Sequence, residues 1–391
     1  MKFILSCYTD LGNPSTPKGL EPEWLGMELS RRGELSKVIV RGISKKRPVL
    51  LDSQYVVKPI PFGSRLPLFF SAINKYVSRL FPARYLSHEA FDYFAAKHID
   101  SANVLCCEIP SLTREMRAAK RKGMKTFVFA TSAHVDYVQK LMDEEYGKFG
   151  LKYNNPGVLP FIKSNRESYL EADMIFPRSD YNKRSLIESG VPKERIYDIP
   201  LGVFTDLRKF KPKKRKDSVF RAVFVGQVSF AKGVHYLLEA WRSLGIDNAE
   251  LILCGGVEPL FKDTFSEYFS DSSIRFEGHV DPLPFLQKSD VFCFPSLSEG
   301  SPQAIVEAMA CGLPVIATEN SGSIARDKKD GFIVPIRDSK SLAKRIKFFY
   351  DRPEKAREMG RSGMKEAKKW SIDRYAKRTA DILEDAYKLL E

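Results

Sequence analysis

Cysteine is sparse in this chain. Its six copies, Cys7, Cys106, Cys107, Cys254, Cys293 and Cys311, show no C-x-x-C spacing and fall mostly in apolar strand or helix contexts. That excludes a disulfide scaffold and a cysteine-ligated zinc site, and predicts reduced core residues. Long apolar runs are missing as well: nothing approaches the roughly 20 residues of a membrane span. The apolar part of Met1 to Asp10 is too short for a signal peptide. A cytoplasmic location is the expectation. No internal repeat or low-complexity segment is present, which removes solenoids and disordered arrays.

What is present is length and alternation. The 391 residues exceed one ordinary domain and suit two of about 200 each, with ample core in both. Strand-like runs at 3–7, 38–40, 55–60, 104–107, 126–130, 174–176 and 196–199 alternate with helical stretches such as 22–32, 90–97 and 111–122. The alternation resumes with strands at 222–225, 251–254, 291–294, 315–317 and 333–334. This pattern predicts an α/β chain of parallel sheets covered by helices on both faces. Residues 210–217 are charged and contain proline, the composition of a linker. From Trp370 to Leu390 the pattern is strongly helical.

The charge is one-sided. A formal net charge of +14 divides unevenly, with 31 Lys and Arg against 22 Asp and Glu up to residue 200, and 32 against 27 beyond it. Basic runs lie at 41–47 and 114–125, and residues 62–81 mix aromatics with cations. Such a mixture suits a peripheral contact with an anionic membrane, each basic residue near the surface contributing roughly 1 kcal/mol. A solvated basic face over a buried helix is the alternative. No nucleic acid partner is expected, because the cations are dispersed and no stacking module or recognition-helix pattern accompanies them.

One run carries most of the functional information: Phe294-Pro-Ser-Leu-Ser-Glu299-Gly-Ser-Pro-Gln-Ala-Ile-Val-Glu307-Ala-Met-Ala-Cys-Gly312-Leu-Pro-Val-Ile-Ala-Thr318. It reads as strand, polar loop, helix, strand. Ser301 is placed as the N-cap and Pro302 as the first helical residue. Gly312 is suited to a left-handed stop, and Pro314 blocks continuation, giving a helix of about three turns. In an open parallel sheet, ligands bind beyond the carboxyl ends of the strands, where helix N-termini attract anions. A ligand crossing this helix start would meet Glu299, Glu307 and unbonded backbone N–H groups. Carboxylates there accept hydrogen bonds from sugar hydroxyls; otherwise the pair is a loop acid and a surface helix residue.

This run resembles the Glu-x7-Glu signature of retaining GT-B glycosyltransferases of the group 4 type (glycosyltransferase family 4), with Glu299, Gly300 and Glu307 matching and Ser301-Pro302 replacing the usual Phe-Gly. The resemblance implies two Rossmann-like, doubly wound domains facing across a cleft. It implies that Glu299 and the following amides of Gly300, Ser301, Pro302 and Gln303 approach the transferred hexose, and that Glu307 holds the nucleotide ribose. A second match lies at Phe220 to Ala240, where Gly226 and the pair Lys232-Gly233 correspond to the family's strand, glycine turn and Lys-Gly helix start. Gln227 stands where the family commonly has arginine. Independently of the name, a lysine arriving at a helix N-terminus is a sensible clamp for a leaving diphosphate. The resemblance also implies that His279 and Val280, after Gly278, hold the nucleobase through backbone contacts; the alternative is a glycine turn followed by a core valine.

The resemblance covers nearly all of 165–391 and only the coarse order before that. It implies an acceptor-binding domain at 1–203, a nucleotide-sugar domain at 204–370, and a terminal helix at 371–391 that crosses back. His134, after the strand at 126–130, is either a proton acceptor or polarising group for the acceptor hydroxyl, or a loop histidine bonded to backbone. Gly12 and Gly19, in the loop after the first strand, are candidates for backbone contact with the diphosphate. The turn at Pro200 to Phe204 matches the family's Asn-Gly-Val-Asp turn in part.

The implied reaction is transfer of a hexose from a nucleotide diphosphate sugar to a glycan or lipid-linked glycan hydroxyl, with retention and with no cofactor. No metal is expected, since the chain has no Asp-x-Asp pair and Lys232 with helix dipoles can neutralise the leaving group. Two rivals are a non-catalytic nucleotide-sugar-binding subunit, consistent with Gln227, and an epimerase or phosphorylase on the same fold.

Overall fold

The computed structural model describes residues 1–12, 17–46, 48–61, 63–65, 83–108, 113–154, 161–197, 207–213 and 217–391. The aromatic and basic segment 66–82 and the turn 200–204 lie outside these, as does the second half of the expected strand 196–199; Ile196 itself bridges to Ile175. The chain forms two compact units, one of Met1–Asp143, Leu151–Phe204 and Ile372–Glu391, the other of Glu144–Gly150 and Thr205–Ser371.

In the first unit β1 (Phe3–Leu11), β2 (Leu35–Ile43), β3 (Val56–Val57), β4 (Val104–Glu108), β5 (Lys125–Ala130) and β6 (Met174–Pro177) form a sheet of order β3-β2-β1-β4-β5-β6. Every pairing is parallel. Alternate residues serve opposite faces, as the two-residue period of a strand requires. Phe3, Leu5, Val38, Val40, Cys106 and Phe127 enter one core, while Ile4, Ile39, Leu105, Cys107 and Val128 enter the other. The terminal helix Ile372–Lys388 adds Tyr375, Leu383 and Ala386 to the first of these cores. All six cysteines of the chain are buried and none forms a disulfide.

In the second unit β7 (Phe220–Val225), β8 (Ala249–Cys254), β9 (Ile274–Gly278), β10 (Val291–Phe294), β11 (Val315–Thr318) and β12 (Gly331–Val334) are again all parallel, in order β12-β11-β10-β7-β8-β9. Counted from its own first strand, this is the same order as in the first unit. It is the doubly wound Rossmann order, and its switch point lies between β7 and β10.

β9 is the strand that the sequence pattern hides: it is an edge strand with one buried residue, Ile274, so its apolar signal is weak. The charged stretch at 210–217 is no spacer at its start. Phe210 is buried and Lys211 O accepts from Gln287 Nε2 at 3.0 Å, so this part is docked on the second unit.

Candidate functional site

The loops that follow β7 and β10 leave the sheet side by side, because Val291 and Phe292 pair with Ala222 and Val223. After β7 the chain turns at Gly226, whose N–H donates to Cys254 O at 2.9 Å, and Gln227 is exposed. A second turn closes with Gly233 N–H donating to Phe230 O at 2.9 Å, and the helix Val234–Leu244 starts at once. Gly233 sits at φ +62°, and a Cβ there would lie 2.1 Å from Pro295 O. Only glycine fits. The preceding residue, Lys232, is thereby pinned against the loop after β10.

That loop carries Glu299. Its carboxylate meets the Lys232 ammonium, and the lysine lies 5.7 Å from the centre of the Phe294 ring. Glu299 Oε1 also accepts from Gly300 N–H at 3.2 Å. Burial pushes the Lys232 ammonium down to about 8, while direct contact with a carboxylate works in the opposite direction. The two side chains remain 22% and 25% exposed, so the pair can be reached by a ligand.

The helix Gln303–Ala310 follows, with half-buried Glu307 on its second turn. Two expectations are corrected here. Pro302, in extended conformation at φ −77° and ψ 119°, is itself the N-cap, so Ser301 lies one residue outside and no side chain caps the helix. The helix is eight residues, nearer two turns than three. Gly312 does take the left-handed stop, at φ +83°. Gln303 Nε2 is shielded from solvent and has no hydrogen-bond partner among the described residues. Val280 lies beyond the carboxyl end of β9 and is 39% exposed. A cation, two carboxylates and a helix N-terminus at the switch point of a doubly wound sheet form an arrangement able to hold a diphosphate and hydroxyl-bearing groups.

A family model described as "Glycosyl transferases group 1" matches residues 205–366. Over this region the chain is similar to the group 1 glycosyl transferases. A putative colanic acid biosynthesis glycosyltransferase of Escherichia coli K12 is 29% identical over 201 residues, covering 47% of this chain and 49% of that protein. An E. coli UDP-Gal:alpha-D-GlcNAc-diphosphoundecaprenol alpha-1,3-galactosyltransferase is 32% identical over 179 residues, or 40% of this chain and 45% of its own. The chain thus spans about half the length of the curated relatives it matches. Among solved structures, sucrose-phosphate synthase from Thermosynechococcus elongatus superposes with a TM-score of 0.66 at 18% identity, covering 100% of both chains. The fold is the two-unit α/β GT-B fold.

In the matched region the structure brings together Lys232, Glu299 and the segment Gly300 to Gln303, with Gly226, Gln227 and Gly233 on the adjoining loop. In the first unit Gly12 ends β1 at φ +75°. Gly19, expected in a loop, is instead inside the helix Pro17–Arg31. His134 is 4% exposed, with its N–H donating to Ser185 Oγ at 2.9 Å and its Nδ1 accepting from Asp136 N–H at 3.3 Å. Burial lowers its pKa, so the ring is neutral at pH 7 with the proton on Nε2.

Sequence reading missed Thr318 and Asn320, which bind the Glu299 loop from behind. Their signal is a polar Thr-Glu-Asn-Ser-Gly cluster at the carboxyl end of β11.

Proposed function

We propose that the protein is a retaining glycosyltransferase that moves a hexose from a nucleotide diphosphate sugar to a hydroxyl of a glycan or lipid-linked glycan, with no metal in the mechanism. The observation that carries this reading is the meeting of Lys232 and Glu299 at the switch point of a region similar to the group 1 glycosyl transferases. The lipid-linked class of acceptor is supported by the relative named for a diphosphoundecaprenol substrate. The expected peripheral contact with an anionic membrane would bring the enzyme to such an acceptor.

In the proposed reaction the bond between the anomeric carbon and the diphosphate oxygen breaks, and a bond to the acceptor oxygen forms on the same face. Negative charge grows on the departing diphosphate. Lys232 answers that charge as a cation already in place before the bond breaks. Glu299, once released from Lys232, accepts hydrogen bonds from the sugar, and Glu307 holds the ribose hydroxyls. The first unit would provide the acceptor site, where His134 would orient the acceptor oxygen with its Nε2–H while the hydroxyl's own proton passes to the departing diphosphate oxygen.

The test is to supply each nucleotide sugar of a panel with bacterial lipid extract and to determine the anomeric configuration of the product by NMR, alongside Glu307→Ala. An α-linked product from an α-linked donor, abolished in Glu307→Ala, supports the reading. An inverted product refutes retention, and donor binding without turnover would make the protein a binding subunit.

A further inference from the structure

The loop that carries Glu299 is gripped from two sides within the second unit. On one side Leu297 N–H donates to Ala231 O at 3.0 Å and Ser296 Oγ donates to the same carbonyl at 3.3 Å, tying the loop to the Lys232 turn. On the other side the residues after β11 hold it. Thr318 Oγ1 donates to Ser296 O at 2.5 Å, Asn320 Nδ2 donates to Leu297 O at 3.0 Å, and Glu299 N–H donates to Asn320 O at 3.0 Å. Ser321 Oγ closes this turn by donating to Thr318 O at 2.6 Å. Gly322, at φ +62°, comes so close that a Cβ would lie 2.1 Å from Gly300 O.

Asn320 is 3% exposed and Thr318 2%. Polar groups buried to this depth are costly unless satisfied, and apolar packing would have filled the same space without that demand. Here their donors end on the carbonyls of Ser296 and Leu297, three and two residues before Glu299. Asn320 brackets the acid twice: its carbonyl sets the height of the Glu299 backbone, and its side chain sets the Leu297 peptide plane from which the loop departs.

We propose that Asn320 is a positioning residue for Glu299, with Thr318 as a second tie on the same loop. This rests on the donor-site reading above. Without Nδ2 the loop relaxes away from β11 and the Glu299 carboxylate shifts, whereas Lys232 stays fixed by Gly233 against Pro295. Diphosphate binding and sugar alignment are therefore separable: the first persists and the second degrades.

The experiment compares the wild type with Asn320→Ala, the near-isosteric Thr318→Val, and Glu299→Gln. It measures nucleoside diphosphate release from the nucleotide sugar that the wild type consumes, the dissociation constant of that nucleoside diphosphate, and kcat/KM for the donor against its C4 epimer. For Asn320→Ala the expected result is a kcat about 10- to 100-fold lower, since a misplacement near 1 Å can cost 10²-fold. Nucleoside diphosphate affinity stays within about twofold and the preference between epimers narrows. Thr318→Val shows the same pattern more weakly and keeps the test alive if the alanine variant does not fold. Turnover within about twofold of wild type in both variants overturns the proposal. So does turnover that falls in step with diphosphate affinity and the folded fraction, the mark of a merely structural residue. Full activity in Glu299→Gln, or no donor consumed by the wild type, brings down the donor-site reading and the positioning role with it.

Discussion

Lys232 and Glu299 neutralise each other when no donor is bound, and each has a different target on the proposed donor. A diphosphate entering the site exchanges one anion for another at the lysine, and frees the carboxylate to face hydroxyls. The contact therefore keeps a half-buried cation satisfied without occupying the site permanently. Its titration is testable. The ordinary lysine value is 10.5, and burial brings this one to about 8. A lysine whose pKa is lowered loses its charge earlier as pH rises, so kcat/KM should fall above about pH 8 with the loss of one proton. In Lys232→Arg, whose guanidinium stays charged throughout, that alkaline limb should vanish. A wild-type profile flat to pH 10 contradicts the role.

At the scale of elements, the segment Glu144–Gly150 shows how one buried acid organises its surroundings. Glu145 lies at the end of the helix Val135–Gly147 and is grouped with the second unit. It accepts from Arg337 Nε at 2.7 Å, Tyr236 Oη at 2.6 Å and Lys148 Nζ at 3.0 Å, and lies 2.9 Å from His235 Nε2. Burial alone would raise its pKa, but the hydrogen bonds from His235, Tyr236 and Lys148 bring it down to about 2. An acid with a depressed folded pKa contributes stability above its ordinary value of 4.5 that is lost as pH falls towards about 2. Glu145→Ala should cost roughly 3–5 kcal/mol, because it strands buried partners. Calorimetry should show the second unit melting roughly 10 °C lower, with the loss of stability between pH 4.5 and 2 reduced. An unchanged melting profile contradicts the hub.

The elements also show what a sequence can reveal. β10, β11 and the stop at Gly312 were legible because short apolar runs and a glycine–proline pair are local signals. The half-exposed edge strand β9 was not, and a helix start depends on the φ and ψ of Pro302, which shift the cap by one residue. Gly19 falls in a helix because the residues after it sustain one. Asn320 was illegible as a site residue, since its bond to Leu297 joins positions 23 apart and exists only after β10 and β11 pair.

For the whole molecule, both sheets share one strand order, and the residues that define the proposed donor site were readable because they cluster on two loops at a single switch point. The candidates in the first unit do not cluster in this way, since Gly12 follows β1 and His134 follows β5. The excess of basic residues is also partly answered at home: Arg114 pairs with Glu89, Arg117 with Glu167 and Glu171, and Arg41 with Asp10. The run at 114–125 is therefore less available to an anionic surface than its sequence suggests.

The measurement that bears most directly on the central claim is nucleoside diphosphate release from a panel of nucleotide sugars by the wild type and by Lys232→Ala. Release from one donor, slowed about 10²- to 10³-fold by the substitution, is the predicted result. A variant within a few-fold of wild type, or a wild type that consumes no donor, would contradict it.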